Sequence, residues 1–336
     1  MSKILTIDCG GSKCALTIWQ SSCAALPQEL ATLTVPTDFA DEQGLLPHLQ
    51  QLCQGHQIEA AALAVAGVTN EEGRVQLTNN SCCLDLANLS LGLREIKHWT
   101  MLNDLAAFAH ALPSLHKMPS EQIELINAEA SAEYGLQGVC MAAAVGTGLG
   151  VAARMGSGRV LSTEAGHCSF APESPAQVKL WQNMRRFIER PCNEDLLSGR
   201  GLVNILRACF IDGQAELANI TAELSPADVS AIARGEKSAA PELTAACRQT
   251  FQLFSEAAGQ ALSNLALCYF SSGGIYIGGG VIAKIGELFD RAVFYQSFLK
   301  DCPFRKQLAQ IPIYLIKAEN TVSLGAACFV ENYLLG

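Results

Sequence analysis

The chain has 336 residues and a formal net charge of −9, with 49% hydrophobic and 16% charged residues. A chain of this length is longer than one hydrophobic core usually serves, so it predicts two domains or lobes. The share of apolar residues excludes a disordered or fibrous protein. The acidic balance, without a tract of Lys or Arg, argues against nucleic acid and anionic membranes as partners, so we expect small-molecule ligands.

The first part of the chain is predicted to alternate strands with helices. Strand patterns occur at Ile4–Asp8, Leu16–Trp19, Ala61–Ala66 and Trp99–Leu102, with stretches rich in Leu, Ala, Glu and Gln between them. The first pattern follows Met1-Ser2-Lys3 without an export signal, and no apolar run reaches the roughly 18 to 20 residues of a membrane span. We therefore expect a soluble, cytoplasmic protein.

The second part repeats this alternation and adds a long helical region. Strand patterns at Val139–Val145 and Leu149–Arg154 precede a largely helical stretch from Ala176 to Phe270. The remaining predicted elements are a strand at Ile275–Ile277, a helix from about Val281, a strand at Ile311–Lys317 and a helix from about Ser323 to Leu335. The whole pattern predicts an α/β fold.

The spacing of the cysteines does not predict a disulfide framework. The fourteen cysteines are irregularly spaced from Cys9 to Cys328, and no Cys-x-x-Cys pair occurs. In a protein without an export signal, we expect them to be reduced and mostly buried, as small hydrophobic residues.

Two glycine-rich turns share one design. Gly10-Gly11-Ser12, followed by Lys13, and Gly146-Thr147-Gly148 each lie between two strand patterns. Glycine lets backbone N–H groups approach an anion, and successive amides form a concavity that suits phosphate oxygens. An ordinary hairpin turn explains either one alone. Two of them, each with a hydroxyl, favour phosphate binding and indicate an internal duplication.

Neither turn has the Gly-x-x-x-x-Gly-Lys-Ser/Thr spacing of a P-loop. A third turn, Gly278-Gly279-Gly280, follows a strand pattern and matches Gly-x-Gly-x-x-Ala, which is typical of dinucleotide sites. Such a site needs an acidic residue at the end of a second strand about 20 positions later, but Asp301 lies outside any strand pattern. We interpret this turn instead as a close backbone approach for adenine and ribose.

Asn103-Asp104 stands where a strand pattern gives way to a helix. A helix N-cap is the commonest role for an Asp at such a junction. The same position suits a general base, because the helix dipole favours the ionised carboxylate, which can then accept a proton from a substrate hydroxyl. We predict that Asp104 is the catalytic residue.

Three further polar side chains follow the second pair of strands. Glu164 and His167 are spaced so that both can bind one polyol, and Glu194 precedes a glycine turn. A Glu-x-x-His spacing also occurs in helical di-iron sites, but those need two such motifs on helices. This motif occurs once and contains Gly166, which argues against a metal site.

Taken in order, these motifs resemble the bacterial-type glucokinases of the actin, hexokinase and Hsp70 ATPase superfamily, and the resemblance spans nearly the whole chain. Asp8–Lys13 resembles the first phosphate motif, D-x-G-G-T-N/K, with Ser12 in place of threonine. Asn103-Asp104 resembles the sugar-binding asparagine and the catalytic aspartate, and Gly146–Gly150 matches the second phosphate motif.

The later motifs continue the resemblance. Glu164–His167 resembles the sugar-binding E-G-G-H, and Glu194 begins E-D-L-L-S-G-R-G where the family has E-R-x-L-S-G-x-G. Gly274–Val281 resembles the adenosine motif, and Ser323–Ala326 resembles the C-terminal L-x-G-A turn.

The departures from the family pattern fall mainly on the sugar side. Ala165 and Ser169 replace a common glycine and aspartate, and Ala66–Thr69 replaces a proline-containing turn. The segment Thr78–Cys82 keeps Asn79 but lacks the tryptophan of T-N-x-x-W. These changes leave the phosphate motifs intact and the identity of the sugar open. The cysteine-rich zinc motif of the related ROK kinases does not occur in this sequence.

The resemblance implies an α/β, two-lobed, actin-like ATPase (ribonuclease H-like) fold with a cleft between the lobes. We expect the small lobe to comprise residues 1–107 and 319–336, and the large lobe to comprise residues 108–318. The resemblance also implies an ATP-dependent hexose kinase that makes glucose 6-phosphate and forms a homodimer. The alternatives are a kinase for another hexose or an N-acetylhexosamine, and a non-catalytic sugar sensor. Such sensors carry an N-terminal DNA-binding domain, which this chain is expected to lack.

The motif matches also imply which residues bind each ligand. The expected ATP ligands are Asp8, Gly10, Gly11, Ser12, Lys13, Gly146, Thr147, Gly148, Gly278, Gly279 and Gly280. The expected sugar ligands are Asn79, Asn103, Asp104, Glu164, His167 and Glu194. Mg²⁺ is the expected metal cofactor, held near Asp8 through water.

Overall fold

The computed structural model describes residues 2–21, 26–67, 73–77, 80–127, 130, 135–210 and 223–335. The chain forms two compact units. The first comprises Met1–Ser120, Gly158–Ser162 and Ala318–Gly336, and the second comprises Glu121–Ser157 and Thr163–Lys317. Within the described ranges, no helix is both long enough and apolar enough to cross a membrane.

The secondary structure alternates as an α/β chain. The strands are β1 (Lys3–Cys9), β2 (Lys13–Gln20), β3 (Gln28–Pro36), β4 (Ala60–Val65), β5 (Arg74–Gln76), β6 (Cys83–Asp85), β7 (His98–Asn103), β8 (Ile123–Leu125), β9 (Cys140–Val145), β10 (Leu149–Arg154), β11 (Val160–Thr163), β12 (Gly274–Gly278) and β13 (Ile313–Ile316). The helices are α1 (Glu42–Cys53), α2 (Leu86–Gly92), α3 (Asp104–Leu115), α4 (Pro175–Met184), α5 (Gly199–Phe210), α6 (Pro226–Arg234), α7 (Pro241–Tyr269), α8 (Gly280–Ile285), α9 (Arg291–Phe298), α10 (Arg305–Gln310) and α11 (Thr321–Tyr333).

The first unit contains a five-stranded sheet in the order β3-β2-β1-β4-β7. β1 pairs antiparallel with β2 and parallel with β4, and β4 pairs parallel with β7. β4 reads Ala-Ala-Ala-Leu-Ala-Val and is buried along its whole length, as expected for a parallel strand that is covered on both faces. The carboxyl ends of β1, β4 and β7 therefore lie at the same edge of the sheet.

Helix α11 packs against α3, β1 and β4. Ser323 Oγ in α11 lies 2.6 Å from Thr6 Oγ1 in β1, and the indole Nε1 of Trp19 donates to Thr6 Oγ1 at 2.8 Å. Gly325 permits the close approach of α11 to α3, because a Cβ there would collide with the carbonyl group of Ala107. The L-x-G-A motif thus has a packing role in this protein.

The second unit is built around a six-stranded sheet in the order β11-β10-β9-β12-β13-β8. β12 pairs parallel with β9 and β13, while β10 pairs antiparallel with β9. The 29-residue helix α7 packs against α5, α6 and α9. Phe254 of α7 is fully buried and meets Phe289 edge-on, with ring centroids 6.4 Å apart. The core of this unit therefore centres on α7.

The predicted long elements are confirmed, with ends that differ by up to three residues, the largest difference being at the start of β2. The region Ala176–Phe270 resolves into α4, α5, α6 and α7 in its described part. The sequence prediction missed β3, whose residues are mostly exposed or half-buried and so lack an apolar face. It also missed β5, β6, β8 and β11, which have three or four residues each and are too short to show a period.

The cysteine prediction is wrong for one pair. Cys9 and Cys14 form a disulfide across the β1–β2 hairpin, where they are directly opposed in register. Fewer cysteines are buried than expected, since Cys83, Cys168 and Cys268 are exposed. The bond escaped prediction because the pairing depends on the register of the hairpin, which the spacing of the cysteines does not reveal.

Candidate active site

Three parallel strands bring polar residues to one edge of the first unit's sheet. The register places Cys9 beside Val65 and Val65 beside Asn103, which aligns the ends of β1, β4 and β7. Asp8 and Asp104 are close enough there for their charges to interact. The carboxylate predicted to lie near the metal and the one predicted to be catalytic therefore share this edge.

The first glycine turn is anchored through its carbonyl groups. Thr37 Oγ1 donates to the carbonyl oxygen of Gly10 at 2.9 Å, and Asn80 Nδ2 donates to that of Gly11 at 2.8 Å. The backbone N–H of Thr37 donates to the Ser12 carbonyl oxygen at 3.1 Å. The amides of Gly11 and Ser12 donate to no other residue in the described part of the chain. This arrangement leaves two successive N–H groups for an anion.

Sequence reasoning missed Thr37 and Asn80 as partners of this turn. Asn80 Nδ2 also donates to the Thr37 carbonyl oxygen at 2.9 Å, and its Oδ1 accepts from the Cys82 N–H at 2.7 Å. Both side chains line a cavity of about 380 Å³. Neither residue carries a motif that would reveal a contact over 27 or 69 positions of the chain. The neighbouring Asn79, a predicted sugar ligand, lies outside the described residues.

Helix α3 is capped by Asn103, so the interpretation of Asp104 as the N-cap is wrong. Asn103 Oδ1 accepts from the N–H groups of Leu105 and Ala106 at 3.0 and 3.2 Å. Asp104 is the first residue of the helix, and its Oδ1 accepts from Leu105 N–H at 2.9 Å. Capping uses the oxygen of the Asn103 amide, so its Nδ2 group remains a donor for a ligand hydroxyl.

The surroundings of Asp8 oppose its negative charge. Desolvation by burial and the nearby carboxylate of Asp104 raise the pKa of Asp8 to about 7, while Lys13 acts in the opposite direction. A cation at this place would offset both unfavourable contributions.

The donor set at this edge fits a hydrated magnesium ion. Mg²⁺ keeps most of its water ligands and binds one or two carboxylates of the protein. Asp8 and Asp104 supply hard carboxylate oxygens, whereas no group of three or more His, Cys, Asp or Glu in the described ranges is arranged as a protein cage for a metal. A water-mediated contact to Asp8 is therefore chemically consistent with this site.

The second glycine turn joins β9 to β10. The N–H of Gly146 donates to the carbonyl oxygen of Gly148 at 2.8 Å, and the N–H of Gly199, at the start of α5, donates to the carbonyl oxygen of Gly146 at 2.9 Å. Thr147 is exposed, and the amides of Thr147 and Gly148 make no hydrogen bond to another described residue. This turn also presents two successive N–H groups.

The third glycine turn lies directly beside the second. β12 runs parallel to β9, with Gly278 opposite Ala144. Gly279 has a φ of +101°, and a Cβ there would collide with the backbone of Val145. Gly280 then begins α8. The second unit thus brings Gly278–Gly280 next to Gly146–Gly148, as the sequence motifs predict for one nucleotide.

Glu164 and His167 form an exposed pair. Glu164 Oε2 lies 4.0 Å from His167 Nε2, and their side chains are 75% and 60% exposed. A short 3₁₀ turn, Ala165–His167, joins them. Gly166 allows this turn to pack against the Leu149 carbonyl group, since a Cβ there would collide with it. The structure therefore brings together the two residues predicted to bind one polyol.

Glu194 lies between this pair and the second glycine turn. Its Oε2 accepts from the N–H of Leu149 at 3.0 Å, and its Oε1 accepts from Arg200 Nη2 at 3.2 Å. The N–H of Asn193 donates to the Cys168 carbonyl oxygen at 2.9 Å, which fixes the Glu194 turn beside the Glu164–His167 turn. Arg200 was missed by sequence reasoning, because an Arg in a helical sequence usually serves a solvated face.

Comparison with known proteins decides the family. The family model described as Glucokinase matches residues 5–333. The chain belongs to the glucokinase family. A glucokinase of Chromobacterium violaceum is 32% identical over 97% of this chain and 89% of its own length, and one of Ralstonia nicotianae is 36% identical over 82% and 81%. The crystal structure of a glucokinase from an Antarctic psychrotroph has a TM-score of 0.81 and 26% identity, covering 99% of both chains.

These findings confirm the family resemblance and the actin-like α/β fold class. Membership of the glucokinase family makes this protein a sugar phosphotransferase. A more distant relative, the ROK family glucokinase of Streptomyces griseus in complex with glucose and AMPPNP, shares the fold at a TM-score of 0.63 and 18% identity, and the alignment covers 97% of this chain and 98% of that one.

Proposed function

We propose that this protein transfers the γ-phosphate of ATP to the 6-hydroxyl of glucose. The observation that carries the proposal is the shared sheet edge of the first unit, where Asp8, the anchored turn at Gly10–Ser12 and the Asn103-Asp104 junction meet in a member of the glucokinase family. Phosphoryl transfer depends on positioning and charge stabilisation, which are the two properties that this edge offers.

On the nucleotide side, the phosphates of ATP are held by backbone amides. In the first unit these come from Gly11 and Ser12, with Lys13 as a positive charge, and in the second unit from Thr147 and Gly148. The adenosine lies against Gly278–Gly280, where the absence of side chains permits a close approach. Asp8 would hold Mg²⁺ through water, and the metal would supply positive charge to the phosphate oxygens.

On the sugar side, hydroxyls are bound by carboxylates, an imidazole and amides. The ligands are Asn79, Asn103, Asp104, Glu164, His167 and Glu194. Asn103 donates through Nδ2, because its Oδ1 already caps α3. Glu164 and His167 bind neighbouring hydroxyls, which agrees with their 4.0 Å separation.

Asp104 is the general base of the proposed reaction. Its place at the first position of α3 favours the ionised carboxylate. The carboxylate accepts the proton of the 6-hydroxyl, the oxygen attacks the γ-phosphorus, and the bond from that phosphorus to the bridging oxygen breaks. Glucose 6-phosphate and ADP are then formed, with the proton left on Asp104 until it is released to water.

The first test removes this base. We expect Asp104→Ala to lower turnover by roughly 10² to 10⁴, since that is the usual contribution of a general base. Turnover is measured by coupled ADP release, and folding by circular dichroism. Asp290→Asn is the matched control, because Asp290 caps α9 and an Asn keeps that cap. Near wild-type turnover in folded Asp104→Ala would remove Asp104 from the mechanism.

A panel of sugars tests the choice of glucose. We expect glucose to give the highest kcat/KM among hexoses and N-acetylhexosamines. A better rate with another member of the panel would reassign the substrate, and sugar binding without ADP release from any of them would point to a sensor.

We also propose that the enzyme acts in the cytoplasm at the entry of glucose into glycolysis and forms a homodimer. Light scattering tests the last point, with an expected mass of twice the 35.8 kDa chain. The mass of a single chain at micromolar concentration would contradict the dimer.

A further inference from the structure

The two oxygens of Glu194 have different partners. Oε2 accepts from the N–H of Leu149, which directly follows the turn Gly146–Gly148, at 3.0 Å. Oε1 accepts from the guanidinium of Arg200 at 3.2 Å. One carboxylate is thus attached both to the end of a phosphate-binding turn and to a positive charge.

The glycine of the turn makes this contact possible. A Cβ at Gly148 would collide with the carboxylate of Glu194, so the closeness of this carboxylate to the turn requires glycine at that position. The Glu194 side chain is 14% exposed. The position of this carboxylate beside the turn therefore depends on the two partners that hold its oxygens, Leu149 and Arg200.

Arg200 contacts the other oxygen of this carboxylate. Its Nη2 lies 3.2 Å from Glu194 Oε1 and 3.6 Å from Asp195 Oδ1. Arg200 is the second residue of α5, whose first N–H, that of Gly199, is bonded to the carbonyl oxygen of Gly146. The guanidinium therefore lies against two adjacent carboxylates, at a helix end that is itself bonded to the turn Gly146–Gly148.

We propose that Arg200 is a positioning residue for the sugar, and that the Glu194–Leu149 bond couples sugar binding to the second phosphate turn. This inference rests on the proposed function. Each carboxylate oxygen has two acceptor sites, so Glu194 can keep both present partners and still accept from sugar hydroxyls. One nitrogen of the planar, permanently charged guanidinium, Nη2, contacts both Glu194 and Asp195 and holds the Glu194 carboxylate in place.

Without Arg200, Asp195 repels Glu194, and no other cation of the described residues forms an ion pair with either carboxylate. Glu194 then turns away from Leu149 toward solvent. The sugar loses an oriented acceptor, and the turn loses a bond at its end. The loss falls on binding more than on the chemical step, because Arg200 touches neither the base nor the reacting atoms.

Steady-state kinetics of the full-length enzyme test the proposal. For Arg200→Gln we expect the KM for glucose to rise roughly 5- to 30-fold, the effect of one weakened charge-assisted contact, with kcat within about threefold of wild type. Arg200→Lys keeps the charge but not the planar guanidinium and should recover part of the affinity. The matched control is Arg207→Gln on the same helix, where the guanidinium stacks on Phe187, and its KM should not change.

A second readout reports the coupling directly. AMPPNP is titrated by calorimetry with and without glucose. We expect glucose to tighten AMPPNP binding in the wild type and to do so several-fold less in Arg200→Gln. If that variant does not fold, Arg200→Met, which keeps the aliphatic part of the side chain and removes the cation, is measured in its place with the same expectation.

The outcomes separate the two proposals. A wild-type KM for glucose in the folded variant, or a lower kcat at unchanged KM, would overturn the role of Arg200. Equal effects of glucose on AMPPNP binding in the two proteins would overturn the coupling. Absence of glucose phosphorylation by the wild-type enzyme would overturn the proposed function and this inference with it.

Discussion

At the residue scale, several residues of the proposed site also have local structural roles. Asn103 caps α3 through Oδ1 and keeps Nδ2 for a ligand, and Asp104 accepts a backbone N–H from the first turn of the same helix. Asp8 is in an unfavourable place for a charge, since its pKa is raised to about 7 mainly by burial. A carboxylate whose pKa is shifted by burial and by a second carboxylate is typical of functional sites.

The raised pKa of Asp8 predicts how stability depends on pH. Between about pH 4 and pH 7 the unfolded chain loses this proton while the folded protein keeps it, so stability falls as pH rises through this range. Without nucleotide and Mg²⁺, Asp8→Asn should raise the free energy of unfolding at pH 8 by roughly 2 to 4 kcal/mol and change it little at pH 4. Denaturant unfolding at the two pH values measures this, and turnover should fall.

Asp85→Asn provides a control of opposite sign. Arg74 lowers the pKa of Asp85, so this variant should lose stability at pH 8 while Asn still caps α2. If Asp8→Asn is also destabilised at pH 8, burial does not penalise the charge of Asp8.

At the element scale, the hairpin β1–β2 carries both the first glycine turn, which we propose to bind phosphate, and the only disulfide found in the described ranges. Cys9 and Cys14 stand directly before and after Gly10–Lys13, and both are fully buried. The bond joins the two strands where the turn begins and ends, while Thr37 and Asn80 bind carbonyl groups within the turn. The turn is thus restrained at two levels.

Removal of this bond should loosen the turn. We expect the variant Cys9→Ala/Cys14→Ala to lose about 2 kcal/mol of stability, as a short closed loop predicts, and to show a higher KM for ATP. Thermal melting with and without a dithiol reductant measures the first effect. Cys83→Ala/Cys268→Ala, which removes two exposed thiols, is the control. If the reductant lowers the melting temperature of Cys9→Ala/Cys14→Ala as much as that of wild type, the Cys9–Cys14 bond is not the source of the stability that is lost on reduction.

The sequence predicted the elements that carry strong apolar runs ended by glycine, such as β1, β9 and β12, and with them the three turns. It could not predict β3, because an edge strand with exposed residues has no apolar face. It placed the cap of α3 on Asp104, since Asn and Asp are both good N-caps and only backbone geometry chooses between adjacent candidates. Asn80 and Arg200 act through contacts that depend on the tertiary fold.

At the scale of the whole molecule, both compact units use the same arrangement. In each, a strand forms a hairpin through a glycine turn and pairs in parallel with another strand on its other side: β1 with β2 and β4, and β9 with β10 and β12. This agrees with the predicted internal duplication. The lobe boundaries at residues 107 and 318 stay a prediction.

Ligands should stabilise the molecule as a whole. At about 100 times its Kd, a ligand that binds only the folded state raises the free energy of unfolding by about 2.7 kcal/mol. We therefore expect glucose, and separately AMPPNP with Mg²⁺, to raise the melting temperature by several degrees, with inorganic phosphate at equal concentration as the control. If neither glucose nor AMPPNP with Mg²⁺ raises the melting temperature, the proposed binding sites are contradicted.

The contact of α11 with β1 has a consequence for biosynthesis. Ser323 and Thr6 meet across 317 positions of the sequence, and α11 also covers β4 and α3. During translation, the N-terminal strands leave the ribosome long before the helix that covers them. The first unit therefore completes its core only after residues 321–333 have emerged, so we expect its sheet to assemble late in translation.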